Sequence, residues 1–108
     1  YIYKKDTPKI EELMISGLPA GSLKKSKYVS KKIGIKSGDV VVMLTDGLPE
    51  CENEKGEILG YERVKQTIID SANKKSEFIK EALIKLGDNW LDGIETKDDI
   101  TFMVIKKN

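Results

Sequence analysis

The 108-residue sequence contains no histidine, a single cysteine (Cys51), a single arginine (Arg63) and a single tryptophan (Trp90). Without imidazole there is no His-based acid/base pair, no Ser-His-Asp or Cys-His nucleophile system and no zinc site that needs a histidine ligand. Chemistry must then come from carboxylates, hydroxyls, lysines, one guanidinium or one thiol. A lone cysteine forms no internal disulfide, which fits a reducing compartment. No apolar run approaches the roughly 18 residues of a membrane span, and the opening YIYKKDTPK lacks the layout of a signal peptide. A cytoplasmic location is therefore expected, with any membrane anchor in an upstream domain. Nor is there a charge excess of either sign: 19 basic and 18 acidic residues leave a net charge of +1. That balance supplies no general case for a nucleic-acid partner or for direct membrane insertion.

What is present suits one soluble domain, with 39% hydrophobic and 34% charged residues. Tyr1–Tyr3 and Ile10–Ile15 are expected as a strand pair turned at Thr7-Pro8, because proline fixes φ and cannot donate to a ladder. A further strand is expected over Tyr28–Ile35, where Val29, Ile33 and Ile35 share a face at period two. Lys36–Asp39 reads as a tight turn into Val40–Leu44, an uninterrupted apolar run expected to be buried on both faces. The stretch from Leu48 to Glu57 reads as a surface loop that folds back at Ile58 and Leu59. Two helices follow. Tyr61–Ala72 carries Tyr61, Val64, Ile68 and Ala72 at helical spacing. Ser76–Leu91 carries Phe78/Ile79, Ala82/Leu83, Leu86 and Trp90, a stripe suited to core packing. Ile100–Ile105 is expected as a last strand. The order is four strands, two helices and one strand: an α+β fold, with helices grouped on a mainly antiparallel sheet. The chain opens directly in a strand without Met, which suggests sequence upstream.

Two acidic stretches stand at the ends of predicted strands. Asp46 ends the run Val40–Leu44 within MLTDGLPE, and Asp98 and Asp99 precede the last strand within KDDITFMVI. If those strands are antiparallel neighbours, the acids converge at one end of the sheet. Carboxylates brought together repel one another unless a cation joins them, and with no histidine available the matching guest is a hard ion such as Mg²⁺ or Mn²⁺. Gly47, lacking a side chain, leaves room for a metal, its waters or a phosphate near the backbone. The competing readings are plain ones: Asp-Gly as a turn, and Asp-Asp as a solvated loop or cap.

Four stretches in order, GLPAG (17–21), SGDVVVMLTDGLPE (37–50), KGEILGYERV (55–64) and TKDDITFMVI (96–105), extend the comparison. Together they resemble the metal-dependent protein serine/threonine phosphatase family. The likeness is to its bacterial branch, typified by stage II sporulation protein E and the sigma-factor-regulator phosphatases. It spans the whole chain, 1–108, as the C-terminal part of that family's domain, without the upstream acidic motifs that complete a two-metal centre. The resemblance implies part of a β-sandwich flanked by helices, Mn²⁺ or Mg²⁺ as cofactor, and a metal-activated water that attacks phosphoserine or phosphothreonine. It places Asp46 and Asp98 as metal ligands, with Asp99 the weaker candidate, and Arg63 of the Gly-x-x-Arg element as a structural residue. The implied partner is a phosphorylated regulatory protein such as an anti-sigma-factor antagonist, and residues 1–108 alone are expected to be inactive.

Other features have alternatives. A catalytic Cys51 would need a phosphate-cradling loop with an arginine close by, whereas CENEKGE surrounds it with acids. Lys24, Lys25, Lys27, Lys31 and Lys32 suit a solvated strand edge that resists aggregation, or attraction of an acidic or phosphorylated partner. The competing class of function is a non-catalytic phosphatase-like interaction module, self-associating as a homodimer through exposed strands.

Overall fold

In the computed structural model, which describes residues 1–108, the stretch Lys4–Lys9 reverses the chain between β1 (Ile2–Lys4) and β2 (Lys9–Glu11). The proline sits in this turn, where its missing N–H costs no ladder bond. A long excursion then leads to β3 (Val40–Leu44), which pairs antiparallel with β1 through Ile2↔Val41 and Tyr3↔Val40. Helices α1 (Tyr61–Ser71) and α2 (Ser76–Leu91) precede β4 (Phe102–Lys106), which closes an antiparallel sheet of order β2-β1-β3-β4. The α+β architecture is the expected one, but with three strands rather than four before the helices.

The missing strand is the one expected over residues 28–35. Nothing in that segment pairs with the sheet, and Val29 is 75% exposed. Alternation prepares a chain for pairing but does not create a partner. Here β1 is already flanked on both sides, by β2 and β3. The second strand is also shorter than Ile10–Ile15, and the last begins at Phe102 rather than Ile100.

The core lies on one face of the sheet only. Val40 and Val42 of β3 join Val64 and Ile68 of α1, Ala72 just after that helix, and Ile79, Leu83 and Leu91 of α2 in one buried cluster. On the opposite face Met43 is 51% and Met103 55% exposed, so the expected two-sided burial of Val40–Leu44 is corrected to one-sided. Both helices cover the same face, and a continuous apolar run does not show how many faces are covered. The buried stripe of α2 is Ile79, Leu83, Gly87 and Leu91, a spacing of four residues, while Phe78 is 60% exposed. Leu86 and Trp90 pack at the cluster's margin. Gly87 belongs to the stripe because a Cβ there would lie 3.1 Å from Cδ1 of Leu48, so the loop after β3 packs closely on the helix. The expected surface loop is therefore part core: Leu48, Pro49, Cys51 and Leu59 are buried. Burial also pushes the Cys51 thiol up, away from the reactive thiolate.

Polar contacts locate the element ends. Gly60 precedes α1 at φ 88°, a conformation natural to glycine, and the Arg63 guanidinium donates back to the Leu59 carbonyl at 2.7 Å. At the other end Lys106 of β4 donates to the carbonyls of Ala72 and Lys74 at 2.7 and 2.6 Å, a cation against the negative end of α1. The turn before β3 is built on Asp39, which is buried and accepts from the backbone N–H groups of Lys36 (2.9 Å) and Lys5 (3.0 Å) and from Lys4 Nζ (3.2 Å). The two backbone donors, then the Lys4 ammonium, hold its carboxyl down at about 2 against an ordinary 3.8.

A depressed carboxyl pKa stabilises the fold above the unfolded value and loses that effect as pH falls through the folded one. Asp39→Ala should therefore lower the urea midpoint near neutral pH, with a loss of about 2 kcal/mol. The gap between variant and wild type should narrow as pH drops from about 4 towards about 2. A gap that stays constant across this range would show that Asp39 does not act through its charge.

Candidate metal centre

The β3–β4 ladder runs from Val40↔Lys106 to Leu44↔Phe102. Continuing that register sets Thr45 opposite Thr101 and Gly47 opposite Asp99, so the two acidic stretches meet where the ladder ends. Thr45 fastens the junction. Its N–H donates to the Thr101 carbonyl at 2.9 Å, its Oγ1 accepts from the Thr101 N–H at 3.2 Å, and its hydroxyl proton faces the carbonyls of Asp99 and Thr101 at 3.4 and 3.3 Å. Gly47 is required by crowding. A Cβ there would overlap the Asp99 carbonyl oxygen and stand 3.0 Å from its carbon. The immediate reason for glycine is thus the crossing chain, and Gly47 also lines the cleft beside it.

That cleft, of about 170 Å³, is lined by Asp46, Glu50, Glu52 and Asp98 together with Lys97 and the buried Cys51. Asp46 and Asp98 come together here, whereas the Asp99 side chain is not among the lining groups. Register separates the two neighbours: the Asp99 carbonyl lies over Gly47, and the Asp98 carboxylate accepts from the Asp99 N–H at 2.9 Å. Asp46, Asp98 and Asp99 are all exposed. Asp46 starts a turn in which the Glu50 N–H returns to its carbonyl at 2.9 Å, bringing Glu50 round to the same side. Tyr61, at the start of α1, donates to Glu50 at 3.1 Å. Partial burial raises the Tyr61 phenol above its ordinary value, and the hydrogen bond and the charges of Glu50 and Asp46 raise it further. Lys97 crosses the cleft to pair with Glu52.

Arg63 is not among the residues that line this cleft. Besides its bond to Leu59, its guanidinium stands 4.6 Å from the Trp90 ring centroid, and the Trp90 N–H donates to the Glu57 carbonyl at 3.0 Å. Both residues fasten the 48–60 loop to the helices.

Sequence reasoning missed Glu50, Glu52, Lys97 and Thr45. The two glutamates carried a signal, standing four and six residues after Asp46 in a glycine-punctuated stretch. Lys97 carried none, because its pairing with Glu52 is visible only in space. As a donor set the cleft suits a hard cation in kind, being all oxygen on the acidic side. It is incomplete in number, since no three acidic or cysteine side chains stand close enough together to hold an ion.

The family described as stage II sporulation protein E (SpoIIE) matches residues 1–108. Protein IcfG of Synechocystis sp. is 26% identical over 99 residues, an alignment that takes in 89% of this chain and 15% of that protein. Among solved structures, the SiaA-PP2C domain of Pseudomonas aeruginosa superposes with a TM-score of 0.66 at 21% identity, over 79% of this chain and 36% of that one. The antiparallel sheet and paired helices thus have the fold of part of a PP2C domain, and the chain spans well under half the length of either relative.

Gly47→Ala should force the two strand exits apart and destabilise the fold by about 1–3 kcal/mol, the usual cost of overpacking. In thermal unfolding this should appear as a fall of roughly 4–8 °C per kcal/mol. An unchanged midpoint would mean that the Asp99 carbonyl moves aside freely.

Proposed function

The chain belongs to the stage II sporulation protein E family, and from that premise we propose that it forms part of a Mn²⁺- or Mg²⁺-dependent protein phosphatase acting on phosphoserine or phosphothreonine. The observation that carries this reading is the meeting of Asp46 and Asp98 in one cleft at the end of the β3–β4 ladder. Asp46 and Asp98 would hold the cation, with Asp99 shaping the crossing chain over Gly47. The remaining ligands would come from water, the substrate phosphate and residues outside 1–108. When bound, such cations supply an activated water and neutralise phosphoryl oxygens. In the hydrolysis, water oxygen bonds to phosphorus as the ester bond to the serine or threonine oxygen breaks, releasing phosphate and the free hydroxyl. The protein's part is to position two carboxylates, which needs neither a protein nucleophile nor a histidine. Lys97, paired with Glu52 across the cleft, sets a positive charge beside Asp98. The substrate is a phosphorylated regulatory protein, for which an anti-sigma-factor antagonist is the leading expectation from the family.

A second reading is a non-catalytic phosphatase-like module that self-associates. It is favoured by the uncovered sheet face, with Met43, Met103 and Ile105 exposed, and by β4 as an open edge.

Titrating Mn²⁺ into the full-length protein should activate hydrolysis of a phosphoserine peptide, and Asp46→Asn should lower kcat/KM by about a hundredfold or more. Full activity in that variant would refute the assignment, while inactivity of the wild-type protein with concentration-dependent dimers would favour the second reading. Residues 1–108 alone should bind Mn²⁺ weakly, and a dissociation constant near or below about 1 μM in calorimetry would contradict the two-ligand count.

A further inference from the structure

Charge is unevenly distributed along this nearly neutral chain. Between Leu13 and Gly38 there are six lysines and no acid, whereas the remaining residues hold 13 basic and 18 acidic groups, a net of −5. The segment is also isolated from the fold. It is tied down at its two ends, by Glu12 to Lys65 on one side and by the Gly34 and Ile35 carbonyls to Lys4 and Lys107 on the other. From Leu13 to Ile33 its only hydrogen bonds are internal, such as Ser22 N–H to the Pro19 carbonyl. Lys24, Lys25, Lys27, Lys31 and Lys32 are exposed and paired with no acid, although the chain carries 18 acids. The roots of this arm adjoin the candidate centre: Met14 and Ile33 line a cavity of about 730 Å³ whose other walls include Met43, Thr45 and Asp46.

We propose that the 13–33 arm is a substrate-docking surface for protein segments rich in Asp and Glu next to the phosphorylated residue. The inference rests on the phosphatase reading above and extends it to substrate class. The body of the molecule, net negative, repels an acidic segment, and the arm supplies the attraction beside the cleft where the phosphate must arrive. A membrane surface fits less well, because interfacial binding calls for an amphipathic helix and the arm has no helix. Nucleic acid fits less well again, since the arm has no arginine and the negative body opposes a long polyanion.

The test compares the full-length wild-type protein with a variant in which Lys24, Lys25, Lys27, Lys31 and Lys32 are all changed to Gln. The probes are two fluorescent phosphoserine peptides, one followed by a run of Glu and one by a run of Gln. By anisotropy the wild type should bind the Glu peptide at least about tenfold more tightly at low salt. The preference should vanish at about 0.5 M salt, where screening is short-ranged, and in the variant. Mn²⁺-dependent hydrolysis of p-nitrophenyl phosphate should be equal in the two proteins. Equal binding of both peptides by the wild type, or a preference that survives in the variant, would overturn the proposal. So would loss in the variant of binding to phosphatidylserine vesicles or to single-stranded DNA without any peptide preference. If neither protein hydrolyses p-nitrophenyl phosphate, the phosphatase reading fails, and the binding comparison still decides the arm.

Discussion

The antiparallel pairing of β3 with β4 is the constraint on which the other features of this chain depend. Because side chains alternate along a strand, a one-residue slip would turn Phe102 and Val104 away from the helices and expose Met103 and Ile105 to the core side. The same slip would carry Lys106 away from the end of α1, where it meets two carbonyls, and would move Asp98 out of the cleft it shares with Asp46. Core, helix end and candidate site therefore select one register together. Thr45 holds that register past the last ladder pair, with a hydroxyl that accepts from Thr101 and faces two carbonyls on the crossing chain.

Two glycines let the loop after β3 follow this geometry, both through close approach. Gly47 admits the Asp99 backbone, and Gly87 admits Leu48 against α2. A glycine inside a helix costs about 1 kcal/mol relative to alanine. It is retained on the one face of α2 where the loop after β3 must be seated. Since that loop begins with Asp46, packing on the far side of the sheet end is coupled to the position of an exposed carboxylate.

Local signals were enough to place the helices, and they failed where the outcome depended on a partner. Ser76–Leu91 was legible because apolar residues recur at helical spacing and Asp92-Gly93 provides a left-handed exit, at φ 47° and 89°. The period-two pattern of Val29, Ile33 and Ile35 looked equally regular, yet alternation says nothing about whether a neighbouring strand has a free edge. Val40–Leu44 was legible as a strand and illegible in burial, because coverage of its second face is a property of the whole architecture. The approach of Asp46 to Asp98 followed from antiparallel pairing alone. The choice between Asp98 and Asp99 did not, because it turns on the chain crossing over Gly47.

The two halves of the candidate centre are held with unequal firmness. Asp46 is exposed, but Gly47, Leu48 and Pro49 directly after it are buried, so its backbone is fixed by core packing. Asp98 lies in an exposed run from Asp92 to Asp99, anchored by the Thr45 contacts, by the approach to Gly47 and by the ion pair of Lys97 with Glu52. Contacts exposed to water contribute little individually, and an exposed ion pair typically gives under about 1 kcal/mol. The Asp46 side is then a preformed ledge, and the Asp98 side is the one that can adjust at small cost. Such an arrangement places the rigid carboxylate where the core can define it and leaves the adjustable carboxylate beside Lys97. The charge of that lysine is matched across the cleft by Glu52.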